Sequence, residues 1–403
     1  MELREIPVEY CDESAVWSLF SSNLLKRLPL REVRYHDLDS VTVTVTEVPV
    51  HFSEQFSRSF AEVDSTLHLK PYLAIYILHC TEQETYRSVC RPRMKAWIES
   101  MDAGKQEWMV LYVPALTMLS DSQNKTYIKI YDKLKDDLGA ITGVRKERCV
   151  RFFSSTKKRY VSIDQLSANS DEFWKDAIHA IGDFIGQSIE SRIATLKEKA
   201  LLYEEQMRSG LNSFFSYCLV SEGLAFLYSV LSQLSQAFKS YEEILRFMET
   251  GSSFGRENQP RDLQRTMEQG LLRYQERLIQ GCISDLEFLE YVMTREKLLL
   301  VALNNMTLYL SQKFLQFLFK GLKILKDRTA PASEKAAWLT TMAIYSISSI
   351  KQEEHSKDNS ELKVPYEQEQ LRYVMGILYS IVQCQVIRSG EVVQWEEVVV
   401  CAS

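Results

Sequence analysis

The sequence predicts an α/β domain, a mostly parallel sheet with flanking helices, followed by an all-α solenoid of helical hairpins. Three observations carry that prediction. Residues 71–80 (PYLAIYILHC) and 107–114 (EWMVLYVP) are nearly continuous apolar runs alternating with helical patterns, as expected of central strands covered on both faces. From about residue 170 onward, apolar residues recur at three- and four-residue spacing with no strand pattern until the tail. Gly (14) and Pro (9) are scarce in 403 residues, too few for a fold rich in tight turns.

Residues 12–29 read as a short helix, with Asp12 as its cap and Pro29 as its stop. VTVTVTEV at 41–48 alternates strictly. Val41, Val43 and Val45 face one way and Thr42, Thr44 and Thr46 the other, which predicts a strand with one buried face towards a sheet edge. After the strand at 71–80, Thr81 is expected to cap a helix over 82–101, with Glu84 completing a capping box. That helix turns Tyr86, Val89, Met94, Trp97, Ile98 and Met101 to the sheet, and Pro92 should break or kink it. Pro114 closes the second strand. Residues 126–139 form an amphipathic helix stopped by Gly139, residues 148–153 a third strand, and 159–164 a fourth strand or an approach to the next helix. Strand and helix taking turns imply parallel pairing with right-handed crossovers, over residues 1–168.

A bridging helix is expected over 169–210, carrying Phe173, Trp174, Ile178, Ile181, Phe184 and Ile185 and then Leu196, Ala200, Tyr203 and Met207 in register. The hairpin at 214–249 follows, with Leu224, Leu227, Tyr228 and Leu231 on its first helix and Phe238, Tyr241, Leu245 and Met248 on its second. Ala225 before Tyr228, and Ala237 before Tyr241 and Ile244, give the small/aromatic order of a tetratricopeptide-like unit. The unit is degenerate, since no Trp opens it and no Pro closes it. A loop at 250–262 leads to a helix over 262–279 and a continuous helical pattern over 283–326, whose segment 314–326 is apolar enough to sit inside a stack. Pro331 and Ser333-Glu334 open a helix with Trp338, Met342, Ile344, Tyr345 and Ile347. A polar gap at 351–363 precedes a last helix at 366–386. The solenoid thus occupies 211–388, and 389–403 is a divergent tail of strand-like alternation, as if the chain stopped inside a larger architecture.

Composition excludes several function classes. An apolar share of 45% and a charged share of 25% are those of a soluble globular protein, and a net charge of −6 gives no electrostatic reason to expect nucleic acid. Eight scattered cysteines form no C-x-x-C pair and lack a His at metal spacing, so no metal is expected. No run approaches the roughly 18 apolar residues of a membrane span. MELREIPVEY has no apolar signal core, so the expected setting is cytosolic or peripheral to a membrane, and the sequons at Asn124 and Asn305 are chance matches. The strand ends (HCTEQ, YVPALT, FFSSTK) lack the glycines that present backbone NH groups to a phosphate, so no nucleotide cofactor is expected. His79 and Cys80 end a central strand, but neighbours on a strand point to opposite faces and make no ready dyad. Asp136, Asp137, Glu204 and Glu205 have Lys neighbours and read as solvated helix faces.

Two groups remain as candidates for contact. Arg145, Lys146, Arg148, Lys157, Lys158 and Arg159 form a basic patch around the third strand, suited to an acidic partner or a lipid headgroup; the plain alternative is an exposed rim. Phe214, Phe215, Tyr217, Phe226 and Tyr228 form an aromatic stripe that is core first, with part of it available as an interface.

Three stretches together (70–101, 106–114 and 213–248) resemble the large subunit specific to the second form of the TRAPP (transport protein particle) vesicle-tethering complex, and 298–326 is also similar in pattern. The resemblance spans roughly residues 10 to 385 and rests on the order and spacing of these stretches, among them Tyr86, Lys95 and Trp97 after the first strand. The large TRAPP subunit of the foie-gras type is the nearest confusable family. The resemblance implies a cytoplasmic, Golgi-associated, non-enzymatic scaffold whose partners are other TRAPP subunits, the small core and adaptor ones, and indirectly Rab-type GTPases. It transfers no catalytic residue, since the complex's exchange chemistry is assigned to its small core subunits. It also implies a longer protein, continuing into more helices and β-sandwich modules. Two other readings are a general tetratricopeptide-like adaptor outside trafficking and an enzyme using the α/β domain.

Overall fold

The computed structural model describes residues 5–37, 41–54, 70–113, 120–142, 148–154, 159–162, 171–211, 213–249, 254, 271–303, 307–327, 330–356 and 365–389. The chain divides into two compact units, Met1–Glu198 with Val230–Ser232, and Lys199–Ser229 with Gln233–Ser403.

The first unit is built on a five-stranded parallel sheet. Its strands are β1 (Ile6–Cys11), β4 (Val50–Glu54), β5 (Leu73–Leu78), β6 (Trp108–Tyr112) and β7 (Cys149–Arg151), in the spatial order β4-β1-β5-β6-β7. Every neighbouring pair runs parallel, with Val8 opposite Leu73, Ala74 opposite Trp108 and Val110 opposite Cys149. Counted within this sheet the order is 2-1-3-4-5, the flavodoxin-like arrangement, whose chain order reverses between β1 and β5. As the apolar runs predict, every residue of β5 and β6 is buried. Alternate residues Ala74, Tyr76, Leu78, Trp108, Val110 and Tyr112 form one core with Met94, Ile98, Met101, Ile130, Leu134 and Leu138 from two helices.

The first of these helices is α2. It begins at Gln83–Thr85, passes through a π-helical turn at Tyr86–Cys90 and continues as Arg91–Ala103. Its N-cap is Glu82 with no side-chain cap bond, so the expected Thr81/Glu84 capping box does not form. The irregularity that Pro92 imposes takes the form of the wide turn just before it, because proline offers no NH and its ring crowds the carbonyl four residues back. The shift in phase turns Val89 outward, 42% exposed, while Tyr86, Met94, Ile98 and Met101 face the core as expected. The second is α3 (Asp121–Thr142), which starts before residue 126 and runs past Gly139, where sheet packing outweighs the roughly 1 kcal/mol that one Gly costs a helix.

An early helix, α1 (Trp17–Leu25), is shorter than residues 12–29. Asp12 does cap it, but from further upstream: Oδ2 accepts from the Trp17 amide at 2.6 Å and Oδ1 from that of Ser14 at 3.2 Å. β2 (Leu30–His36) and β3 (Thr42–Val48) pair antiparallel as a separate ribbon, so the alternating segment is not the edge of the main sheet. Val45 and Val48 are its buried residues, and Val41 is exposed. β8 (Phe153–Ser154) and β9 (Arg159–Tyr160) make a small hairpin after β7. Rings of Phe20, Phe152 and Trp174 meet at 5.1–6.2 Å.

Trp174 belongs to α4 (Asp171–Arg208), a helix of 38 residues. In the first unit it passes so close to β2 that a Cβ on Gly186 would lie 2.0 Å from the Arg34 carbonyl oxygen. Arg192 of the same helix is buried, donates to the carbonyls of Lys70 and Pro71, and stacks 3.8 Å above the Tyr72 ring.

The second unit is a helical solenoid. It continues through α5 (Phe214–Val230), α6 (Leu234–Glu249), α7 (Leu271–Ile279), α8 (Asp285–Ala302), α9 (Thr307–Asp327), α10 (Ala332–Ser356) and α11 (Pro365–Ser389). α8 lies against α6, α7 and α9; α9 and α10 pack on each other, and both pack on α11. The pattern over 283–326 is thus two packed helices, interrupted after Leu303, rather than one. Helix ends are read off their caps. Gly210 and Gly281, at φ +82° and +66°, are the left-handed residues of Schellman motifs, with Leu211 NH bonded to Gln206 O and Cys282 NH to Arg277 O. Ser284 and Glu287 form a capping box at the start of α8. The expected tail beyond residue 389 lies outside the described residues.

Candidate interaction site

In a doubly wound sheet the place for a ligand is the crevice at the carboxyl ends of the strands, where the strand order reverses. Here that edge is formed by Asp12 and Glu13 after β1, His79 and Cys80 after β5, and Val113 after β6. Asp12 is taken up by the α1 cap. Glu13 reaches across to Arg93 of α2, 2.9 Å away. His79 Nδ1 lies 2.7 Å from the Val113 carbonyl, Cys80 donates to the Glu82 carbonyl at 3.2 Å, and the Tyr112 hydroxyl donates to the Cys80 carbonyl at 3.1 Å. Burial pushes the Cys80 thiol up to about 12, helped by the neighbouring Cys90, so it stays protonated and unreactive at neutral pH. These described polar groups are engaged in the fold itself. Among the described residues no cluster of His, Cys, Asp or Glu is arranged to hold a metal.

The basic run behaves differently from a surface patch where it can be seen. Arg148 is buried, with Nη2 2.6 Å from Glu107, Nη1 donating to the Trp108 carbonyl at 2.6 Å, and its guanidinium 4.9 Å from the Trp108 ring. Arg145, Lys146, Lys157 and Lys158 lie outside the described residues, and Arg159 is described only through its backbone pairing with Ser154. Arg151, which the sequence reading did not single out, sits 4.2 Å from the Tyr131 ring and 4.1 Å from that of Phe153, donating to the Tyr160 hydroxyl. A guanidinium is flat and weakly hydrated, so an aromatic wall suits it as well as water does. Asp137, read as solvated, is also inside: it accepts from the Tyr86 hydroxyl at 3.1 Å and pairs with Arg91 and Lys133.

The aromatic stripe is core. Phe214, Tyr217, Phe226 and Tyr228 are buried and Phe215 is half-buried. Phe214 and Phe215 both meet Phe254, which continues to Phe288 of α8 at 5.0 Å, and Tyr217 meets Phe247 of α6 at 4.8 Å. Within this core lies a set of acids that periodicity did not reveal. Glu222 accepts from the hydroxyls of Tyr241, at 2.5 Å, and of Tyr291, joining α5, α6 and α8. Glu290 accepts from Trp338 Nε1 at 2.7 Å and the Tyr274 hydroxyl at 2.9 Å, joining α7, α8 and α10. Glu287 pairs with Arg277. A charge at an apolar spacing is invisible to a periodicity count. The one legible signal was Ser284 three residues before Glu287.

These features define a class of architecture: a flavodoxin-like sheet whose described strand-end groups bond within the fold, and a helical array tied together by buried carboxylates. Comparison with known proteins places that architecture. The family model described as Trafficking protein particle complex subunit 10-like, N-terminal, matches residues 1–208, and the chain belongs to this family. It is similar to Trafficking protein particle complex subunit 10 of Dictyostelium discoideum, 24% identical over 263 residues, covering 60% of this chain and 18% of the relative. Similarity to the Trafficking protein particle complex II-specific subunit 130 homolog of Oryza sativa subsp. japonica is 21% over 391 residues, 94% of this chain and 30% of the relative. The corresponding subunit 130 of Saccharomyces cerevisiae is 23% identical over 256 residues, 60% of this chain and 21% of the relative. The chain thus spans less than a third of the length of these relatives. No helix among the described residues is long and apolar enough to cross a membrane.

Proposed function

We propose that this chain acts as part of a non-enzymatic scaffold subunit of a multisubunit vesicle-tethering complex of the TRAPP II type, at Golgi and endosomal membranes. In this reading it is held by the small core and adaptor subunits and supports nucleotide exchange on Rab-type GTPases by the complex, without contributing exchange residues. The observation that carries the reading is family membership over residues 1–208. The helical array supplies contact surface in place of chemistry. Of the candidate interface residues, docking falls to Phe215 at the half-buried end of the stripe and to Arg145, Lys146, Lys157, Lys158 and Arg159, while Arg148 serves the core.

Affinity purification of the tagged chain from cytosol tests this. Small TRAPP subunits should be recovered in near-stoichiometric amount; their absence would remove the reading in favour of an adaptor outside trafficking. An enzyme would instead be stabilised by nucleotide or metabolite at millimolar concentration in a thermal-shift screen, and no such shift is expected.

A further inference from the structure

Three helices of the array meet around one lysine. Lys313 of α9 donates to Glu242 Oε1 of α6 at 2.8 Å, and its ammonium also lies 3.8 Å from Glu296 Oε1 of α8. The lysine side chain is 11% exposed and sits over the rings of Phe238 and Tyr309, at 5.1 and 5.7 Å, so little water competes for it. The two acids differ in their surroundings. Glu242 is 40% exposed and accepts from the Tyr309 hydroxyl at 3.2 Å, whereas Glu296 is fully buried and neither of its oxygens has a hydrogen bond.

Lys313 and Lys320 of α9 and Glu242 of α6 are the charged groups that act on Glu296, with the Tyr309 phenol beside them. Lys320 is paired with Glu249 of α6 at 2.8 Å. Lys297 of α8 faces the Tyr345 hydroxyl of α10 at 3.4 Å, and Arg277 of α7 faces Glu287 at 3.1 Å. A neutral Glu296 makes no demand on Lys313, which then pairs with Glu242. An ionised Glu296, buried without a hydrogen bond, is costly until a cation meets it, while half-exposed Glu242 has water to fall back on. The buried acid therefore gains more from the lysine than the exposed one loses.

We propose that Lys313 is a proton-operated latch: it ties α9 to α6 through Glu242 while Glu296 is protonated, and swings to Glu296 of α8 when that proton leaves to solvent, freeing Glu242 at the surface. The change needs only a turn of a flexible four-carbon stem between two carboxylates already beside it. Burial raises the Glu296 pKa from 4.5 to about 7 against the pull of Lys313, so the latch works in the neutral range.

The test applies a zero-length carbodiimide cross-linker, which joins an amine to a carboxylate in direct contact, to the full chain at pH 6 and pH 8, with products mapped by mass spectrometry. Lys320–Glu249, between the same two helices at the same 2.8 Å, is the internal standard for the reagent's own pH dependence. Relative to it, the Lys313–Glu242 product should fall roughly threefold or more from pH 6 to pH 8, as a group of pKa about 7 passes from mostly protonated to mostly ionised. In Glu296→Gln, which keeps the shape of the neutral acid, the ratio should stay at its pH 6 value. A ratio that does not change with pH in the native chain, or that falls equally in the variant, would overturn the proposal. A second measurement does not depend on that variant folding. The infrared carbonyl stretch of a protonated carboxyl should be present at pH 6 and largely lost by pH 8 in the native chain. Glu242→Gln, at the half-exposed position, should lower the midpoint of that loss, because the lysine is then free for Glu296. A midpoint that Glu242→Gln leaves unmoved would equally overturn the latch.

Discussion

Glu296 is fully buried on α8 with neither carboxylate oxygen hydrogen-bonded, and Lys313 Nζ lies 3.8 Å away, closer to Glu242 at 2.8 Å. Desolvation raises its pKa from 4.5 to about 7, against the opposing pull of Lys313, while Glu242 adds to the rise and Lys320 opposes it. Below about pH 4.5 the acid is neutral both folded and unfolded. Between there and about 7 the folded chain keeps a proton the unfolded chain has lost, so this group's stabilising contribution falls as pH rises through that window. Glu296→Gln should abolish that slope and leave the variant the more stable protein above pH 7, by up to about 3 kcal/mol at roughly 1.4 kcal/mol per pKa unit. Urea melts at pH 5 and pH 8 measure it; a wild-type pH dependence unchanged by the substitution would rule out this burial. A second residue-scale case is Ser232, held at φ +57° with the Gln233 NH bonded to the Tyr228 carbonyl, the Schellman position that glycine fills after α4 and α7. Since a left-handed side chain costs about 1 kcal/mol, Ser232→Gly should raise stability by about 0.5–1 kcal/mol in the same melts.

At the scale of elements, what the sequence makes legible follows from how one-sided each element's surroundings are. β5 and β6 are buried on both faces and read as unbroken apolar runs; α5 and α6 read from their three- and four-residue spacing. β1 and β4 alternate, with Glu9, His51 and Ser53 on the polar side, but over only six and five residues, too short a run to stand out, while in β2 the adjacent Arg31 and Glu32 break the alternation between Leu30 and Val33. The break between α8 and α9 is hidden for the opposite reason, since apolar residues continue up to it from both sides. Close approach depends on single glycines that periodicity cannot weigh. A Cβ at Gly321 would fall 2.0 Å from the Trp338 ring, whose Nε1 holds Glu290. Gly321→Ala should therefore push the indole off its carboxylate and cost about 1–3 kcal/mol, the usual price of overpacking. Gly186→Ala should cost at least as much, because its neighbour is backbone and cannot swing aside. Unfolding midpoints within error of wild type for both would mean that neither approach is as tight as described.

At the scale of the whole molecule, both expected architectural parts are present, and the candidate site divides. The aromatic stripe reads as core from its spacing, as it proves to be, while the basic run cannot be sorted by charge alone. Only folding shows that Arg148 lies under Trp108 and Arg151 among three rings. The buried carboxylates of α5 and α8 are invisible in sequence because their partners, Tyr241, Tyr291 and Trp338, come from distant positions. What remains is a chain of the TRAPP subunit 10-like family for which assembly within a complex is the proposed role. Mass photometry of the purified chain mixed with purified small TRAPP core and adaptor subunits tests this most directly. The expected result is a discrete species whose mass exceeds that of the small subunits alone by one copy of this chain, stable at nanomolar concentration. A mixture showing only the separate masses would contradict it.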